Sequence, residues 1–129
     1  MNHPVRPDGV ASPAARYELG VVTEAGSTIL HTAGIVGARP DGSVPEAVGE
    51  QADEVWRSVL AILEAGGFEM GDIVNYTTYV VAGADLEAVM AARDAHVSPH
   101  TATSTLITVP ALARPEWKVE IAVVAARKP

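Results

Sequence analysis

Between residues 46 and 65 apolar residues return every three or four positions. Val48, Ala52, Val55, Val59 and Ile62 or Leu63 share one stripe, while Glu50, Asp53, Glu54 and Arg57 lie mostly on other faces. That period predicts an amphipathic helix. Ser43 followed by Glu46 fits a capping box at its start, and Gly66-Gly67 fits its end. A second helical pattern covers residues 86–97, with Leu86, Val89, Met90 and Val97 apolar, Asp85 placed to cap it and Pro99 to close it. Elsewhere the chain reads as strands. Residues 73–81, IVNYTTYVV, are rich in β-branched and aromatic side chains. Residues 17–24 and 27–36 are apolar runs separated by Ala25-Gly26, which predicts a hairpin. Gly34 inside the second run predicts a bulge or a close approach by another group. Residues 104–109 and 117–125 are two more strands, joined by a connection holding Pro110 and Pro115.

The predicted order is β-β-α-β-α-β-β in a single domain, 1–129, with residues 1–15 (Pro4, Pro7, Gly9, Pro13) as an extended arm. Two helices and one sheet predict an α+β layer with both helices on one face of a mixed sheet. The strand at 73–81 is substantially apolar on both sides. With no sequence left to cover the second face, another subunit is its expected cover.

Composition sharpens this picture. Of the 129 residues 48% are hydrophobic but only 5% aromatic, so the core is aliphatic. The net charge of −7 disfavours nucleic-acid binding, which depends on Lys and Arg against phosphate. With no cysteine there are no disulfides, thiolate nucleophiles or Cys-based metal sites. Nothing at the N-terminus reads as a signal peptide and no apolar run approaches membrane-spanning length, so a cytoplasmic protein with no membrane partner is expected.

Glu120, one acid in the middle of an apolar strand, is the leading chemical candidate. It is either functional or paired with Lys118 or Arg114. His96 and His100 are four apart, but Pro99 falls between them, so no metal site is expected. No serine sits in a Gly-x-Ser-x-Gly setting, and the glycines form no dinucleotide fingerprint, so no cofactor is expected.

The element order, the run EAGG followed by MGDIVNYTTYV, and the run LARPEWKVEIAVVA together resemble the RidA/YjgF family of small trimeric proteins. The resemblance spans residues 13–128. It implies a chorismate-mutase-like fold in which a homotrimer joins its sheets into a central barrel, with helices outside and small-molecule pockets between subunits. It also implies hydrolysis of reactive enamines or imines to keto acids and ammonia. Glu120, in the setting KVEI, matches the family's water-orienting glutamate, and Tyr17 matches its N-terminal tyrosine. Gly34 matches the second-strand glycine, with Ala33 and Ile35 where serine and glutamine are usual. The family's carboxylate-binding arginine should stand at Thr103, Ser104 or Thr105, yet no residue from 99 to 113 is arginine. The expected substrate is therefore atypical, neutral or hydroxylated, unless Arg114 or Arg16 replaces the clamp. A non-catalytic metabolite-binding or regulatory trimer is the alternative. The ribonuclease activity attached to some family members is disfavoured by the acidic charge.

Overall fold

In the computed structural model, which describes residues 2–129, the chain runs β1 (Asn2–Val5), β2 (Gly20–Thr23), β3 (Thr28–His31), β4 (Ile35–Val36), α1 (Val48–Ala65), a 3₁₀ turn (Met70–Asp72), β5 (Ile73–Val81), α2 (Leu86–Val97), β6 (Thr103–Val109) and β7 (Val119–Arg127). The main sheet has the order β3-β7-β5-β6, with β4 also pairing β7. β5 and β6 are parallel, and the other pairs of this sheet are antiparallel. The last strand is thus central, and β6 is an edge separated from it by β5.

Alternation along the central strands fixes the layers. Val119, Ile121, Val123 and Ala125 of β7 and Tyr76 and Val80 of β5 are buried in one cluster with Val55, Trp56, Val59 and Leu63 of α1 and Val89 and Val97 of α2. Both helices therefore cover one face. Glu120, Ala122 and Val124, the alternate residues of β7, lie half-buried on the other. The Trp56 and Tyr76 rings meet edge-on at 5.5 Å, a favoured geometry for aromatic pairs.

The structure corrects several expectations. β2 and β3 do not pair as a hairpin: β2 pairs with β1, and β3 pairs with β7. Only a turn links them, closed by Ser27 donating to the Glu24 carbonyl. The arm at residues 1–15 accordingly contains a strand. The run at 27–36 is two strands rather than one, because the Thr32 hydroxyl accepts from Val123 N–H at 2.9 Å and takes a ladder position. Ile73 lies on the helix side with Tyr76, since a register shift between Ile73 and Asn75 inserts one residue. α1 starts at Val48 with Ala47 at its cap. The Ser43–Glu46 capping box does not form, because the Ser43 hydroxyl donates to Asp41 at 2.7 Å. Asp85 does cap α2, accepting from Ala88 N–H at 3.2 Å.

Candidate functional site

Glu120 stands opposite Tyr79 of β5 and Val36 of β4, on the face away from the helices. Its carboxylate makes no hydrogen bond or ion pair among the described residues. The partners that would have explained it structurally are engaged elsewhere. Lys118 Nζ donates to the Glu46 carbonyl. The Arg114 guanidinium lies 5.3 Å over the Trp117 ring and 4.0 Å from Glu116. Gly34 explains how the carboxylate fits: a Cβ there would fall 2.8 Å from Glu120 Cδ and closer still to Oε2. Glycine leaves room for the carboxylate in this orientation, and its backbone angle is an ordinary one.

The other expected site residues divide. Ala33 is exposed beside Gly34, whereas Ile35 pairs with the core residue Ile121 and faces the helices. Thr103 pairs with Asn75, and its hydroxyl is fully used: it donates to the Val74 carbonyl and accepts from the Asn75 amide, both at 2.8 Å. That bond caps the carbonyl freed by the bulge in β5. Ser104 bonds the Tyr76 hydroxyl on the helix side. Burial raises the Tyr76 phenol above its ordinary range, against the pull of the Arg93 charge beside it. Thr105, exposed and opposite Thr77, is the hydroxyl left on the open face.

Tyr17 sits at the Thr103 end. Its hydroxyl accepts from Ala14 N–H at 3.2 Å, and the next residue, Glu18, bridges to Thr103. Thr103 and Glu120 are separated by two strand spacings and four residues along β5, roughly 16 Å on ideal sheet dimensions. One chain does not bring its Glu120 and its Tyr17–Thr103 groups to one small ligand. Arg114 lies on the loop entering β7, at Glu120's end. Arg16 is at the other end, donating to the Pro99 carbonyl at 3.4 Å. His96 lies 3.1 Å from Asp53, and His100 donates to the Ile73 carbonyl at 2.7 Å, so they do not converge.

Two polar centres escaped the sequence reading. Gln51 is fully buried in α1; its amide nitrogen donates to the Pro45 and Glu116 carbonyls at 2.7 and 2.9 Å, and its oxygen accepts from Lys118 N–H at 2.9 Å. A polar residue on the apolar stripe beside Ala52 was the available signal. Glu18 is the second. Arg6 clasps it from two nitrogens, at 2.6 and 3.1 Å, and Thr101 donates at 3.0 Å. The Arg6 hydrogen bond holds this carboxyl below its usual range, although burial works against it. Sequence gave little sign of this pair, because Arg6 and Glu18 are joined only by the β1–β2 pairing.

Comparison with known proteins agrees with this architecture. The Endoribonuclease L-PSP family model matches residues 9–127. A 2-iminobutanoate/2-iminopropanoate deaminase of Salmonella typhimurium is 31% identical, over 99% of this chain and all of that protein. The YjgF gene product of E. coli superposes with a TM-score of 0.73 at 28% identity, covering 97% of this chain and 98% of that one. A Yersinia pestis protein of the Rid family, YyfB, reaches a TM-score of 0.85 at 24% identity, over 98% of each chain, and bears on the fold alone. A match of this extent to the family model, with a relative of this identity over the whole chain, places the protein in the RidA/YjgF family.

Proposed function

We propose that this protein hydrolyses small imine- or enamine-type metabolites, with Glu120 positioning and deprotonating the attacking water. The observation that carries this reading is the unpaired Glu120 carboxylate on the open sheet face, in space that Gly34 leaves free. As water adds to the imine carbon, Glu120 takes its proton while the oxygen–carbon bond forms. That proton passes to nitrogen to give a carbinolamine; Glu120 then takes the hydroxyl proton as the carbonyl forms, nitrogen receives this second proton, the carbon–nitrogen bond breaks, and ammonia leaves a carbonyl product. The relative named for 2-imino acid deamination supports the reaction class. The pocket is completed by a second copy, whose Tyr17 and Thr105 supply what one chain holds away from its own Glu120, roughly 12 Å away for Thr105 on ideal sheet dimensions. Exposed Ile107 and Ile29 on the uncovered face fit such a contact within a homotrimer. With no arginine from 99 to 113, the substrate is expected to lack a tightly clamped carboxylate unless Arg114 supplies it.

A non-catalytic ligand-binding trimer is the second reading, favoured by that same missing arginine and by the spent hydroxyl of Thr103. Ammonia release from freshly generated 2-aminoacrylate and bulkier, uncharged imines separates the two. Turnover that falls roughly 100-fold or more in Glu120→Gln is the expected result. Saturable binding without turnover, with activity appearing only in Thr103→Arg or Thr105→Arg, would establish the second reading instead.

A further inference from the structure

At the far end of β7 from Glu120 lies a cleft of about 490 Å³, between the β1–β2 ribbon and the end of the main sheet. That volume is within the range of small-molecule sites. Its floor includes Val21, Ile73 and Ala126, and its walls carry charge of both signs. On one wall Glu18, with its side chain only 9% exposed, fixes Arg6 through Nε and Nη2. Arg6 Nη1 makes no hydrogen bond among the described residues, and the guanidinium is 70% exposed. A buried carboxylate that holds an arginine in one orientation makes that arginine a preorganised carboxylate receptor. Also in the lining, Arg127 is tied to Asp72 at 3.1 Å, and Asp72 also accepts from Glu69 N–H at 2.8 Å. The Glu69 carboxylate is left 77% exposed, with Arg127 Nη1 at 3.6 Å.

We propose that this cleft binds a free α-amino acid with an aliphatic side chain. Its carboxylate is received by Arg6, its ammonium by Glu69, and its side chain lies on the apolar floor. The walls hold three cations (Arg6, Arg127, Lys128) and three carboxylates (Glu18, Glu69, Asp72). A net-neutral lining gives a simple anion or cation little advantage and rewards a ligand with both charges. The site is separate from Glu120 and does not rest on the reaction proposed there.

The test is an amide chemical-shift titration of the full chain near neutral pH with three probes: L-leucine, 4-methylpentanoate, which lacks the amine, and 3-methylbutan-1-amine, which lacks the carboxylate. L-Leucine is expected to give saturable shifts at Ile73, Thr101 and Ala126, with at least about tenfold tighter binding than either analogue. Glu69→Gln, a change at an exposed position, should bring leucine down to the level of 4-methylpentanoate. Arg6→Gln should bring it down to the level of the amine. Glu120→Gln should leave leucine binding unchanged, so failure here is distinguishable from failure of the hydrolase reading. No saturable shift with leucine, equal binding of all three probes, or loss in Glu120→Gln with retention in Glu69→Gln would each overturn the proposal.

Discussion

The two faces of the main sheet treat polar groups in opposite ways. On the helix-covered face every polar group of Gln51 is used, and the Tyr76 hydroxyl is shared between Ser104 and Arg93. On the open face the carboxylate of Glu120 and the hydroxyls of Tyr79 and Thr105 have no side-chain hydrogen bond among the described residues. Buried polar groups are nearly always satisfied, and the Trp56 indole Nε1 apart, which has no hydrogen-bond partner among the described residues, those of the first face are satisfied within one chain. The second leaves this hydrogen-bonding capacity unused by side chains within one chain. Sequence position alone does not make this distinction: Thr103 and Thr105 look alike on paper, yet one is spent on a bulge and the other is free.

The comparison is broken most severely by placing charge on the helix-covered face. Val80→Asp and Val123→Asp each bury a carboxylate at a position at most 1% exposed. An unpaired buried charge is expected to cost more than about 4 kcal/mol, so neither variant should show a cooperative urea transition. Retention of fold and of assembly by both would refute the assignment of these residues to the core. Gln51→Ala comes next. It strands Lys118 N–H and two carbonyls, at an expected cost on the order of 3 kcal/mol or more. Thr105→Ala, on the open face, should change stability by less than about 0.5 kcal/mol. Equal urea midpoints for Gln51→Ala and Thr105→Ala would erase the contrast between the faces.

Gly34→Ala sharpens the contrast at the proposed catalytic carboxylate. The added methyl meets the far end of a flexible side chain, so Glu120 swings aside and stability should fall by no more than about 1 kcal/mol. Ammonia release should fall at least about tenfold, because a displaced base no longer reaches the water. Wild-type turnover in Gly34→Ala would mean that Glu120 works from another position or not at all.

Much of the fold was legible because both periods were clear. The helical stripe from Val48 to Leu63 and the β-branched run of β5 each follow one rule over many residues. Asp85 and Pro99 bounded α2 through local chemistry. Strand pairing was harder, since Ala25-Gly26 turns the chain without dictating which strands meet. β2 met β1 from a proline-rich segment that carries no strand period. At the candidate site Gly34 and Glu120 were readable as exceptions to their surroundings. The bulge at Val74 was not, and it decided the fate of the Thr103 hydroxyl. Gln51 was hidden by the reverse effect: its neighbours define an apolar stripe so strongly that one polar member passes for a boundary residue.

The smallest expected effect concerns a second carboxylate, at the sheet's edge, that is paired like the groups of the helix-covered face. Arg6 holds the Glu18 carboxyl below its reference value of 4.5, with further help from Thr101 and against the effect of burial. The folded state therefore releases the Glu18 proton more readily than the unfolded chain does. Above about 4.5 both states are ionised and the stabilisation is fully present. As pH falls through the lower folded value the carboxyl is protonated, and the stabilisation is lost. Glu18→Gln has no such proton to take up, so its urea midpoint should decline less steeply than the wild type's below that pH. Arg6→Gln should flatten the same region, and the double variant should match the singles, because both act on one interaction. Parallel pH curves for wild type and Glu18→Gln would show that the Arg6 pair does not depress this carboxyl in solution. They would also remove the anchor that holds Arg6 at the cleft.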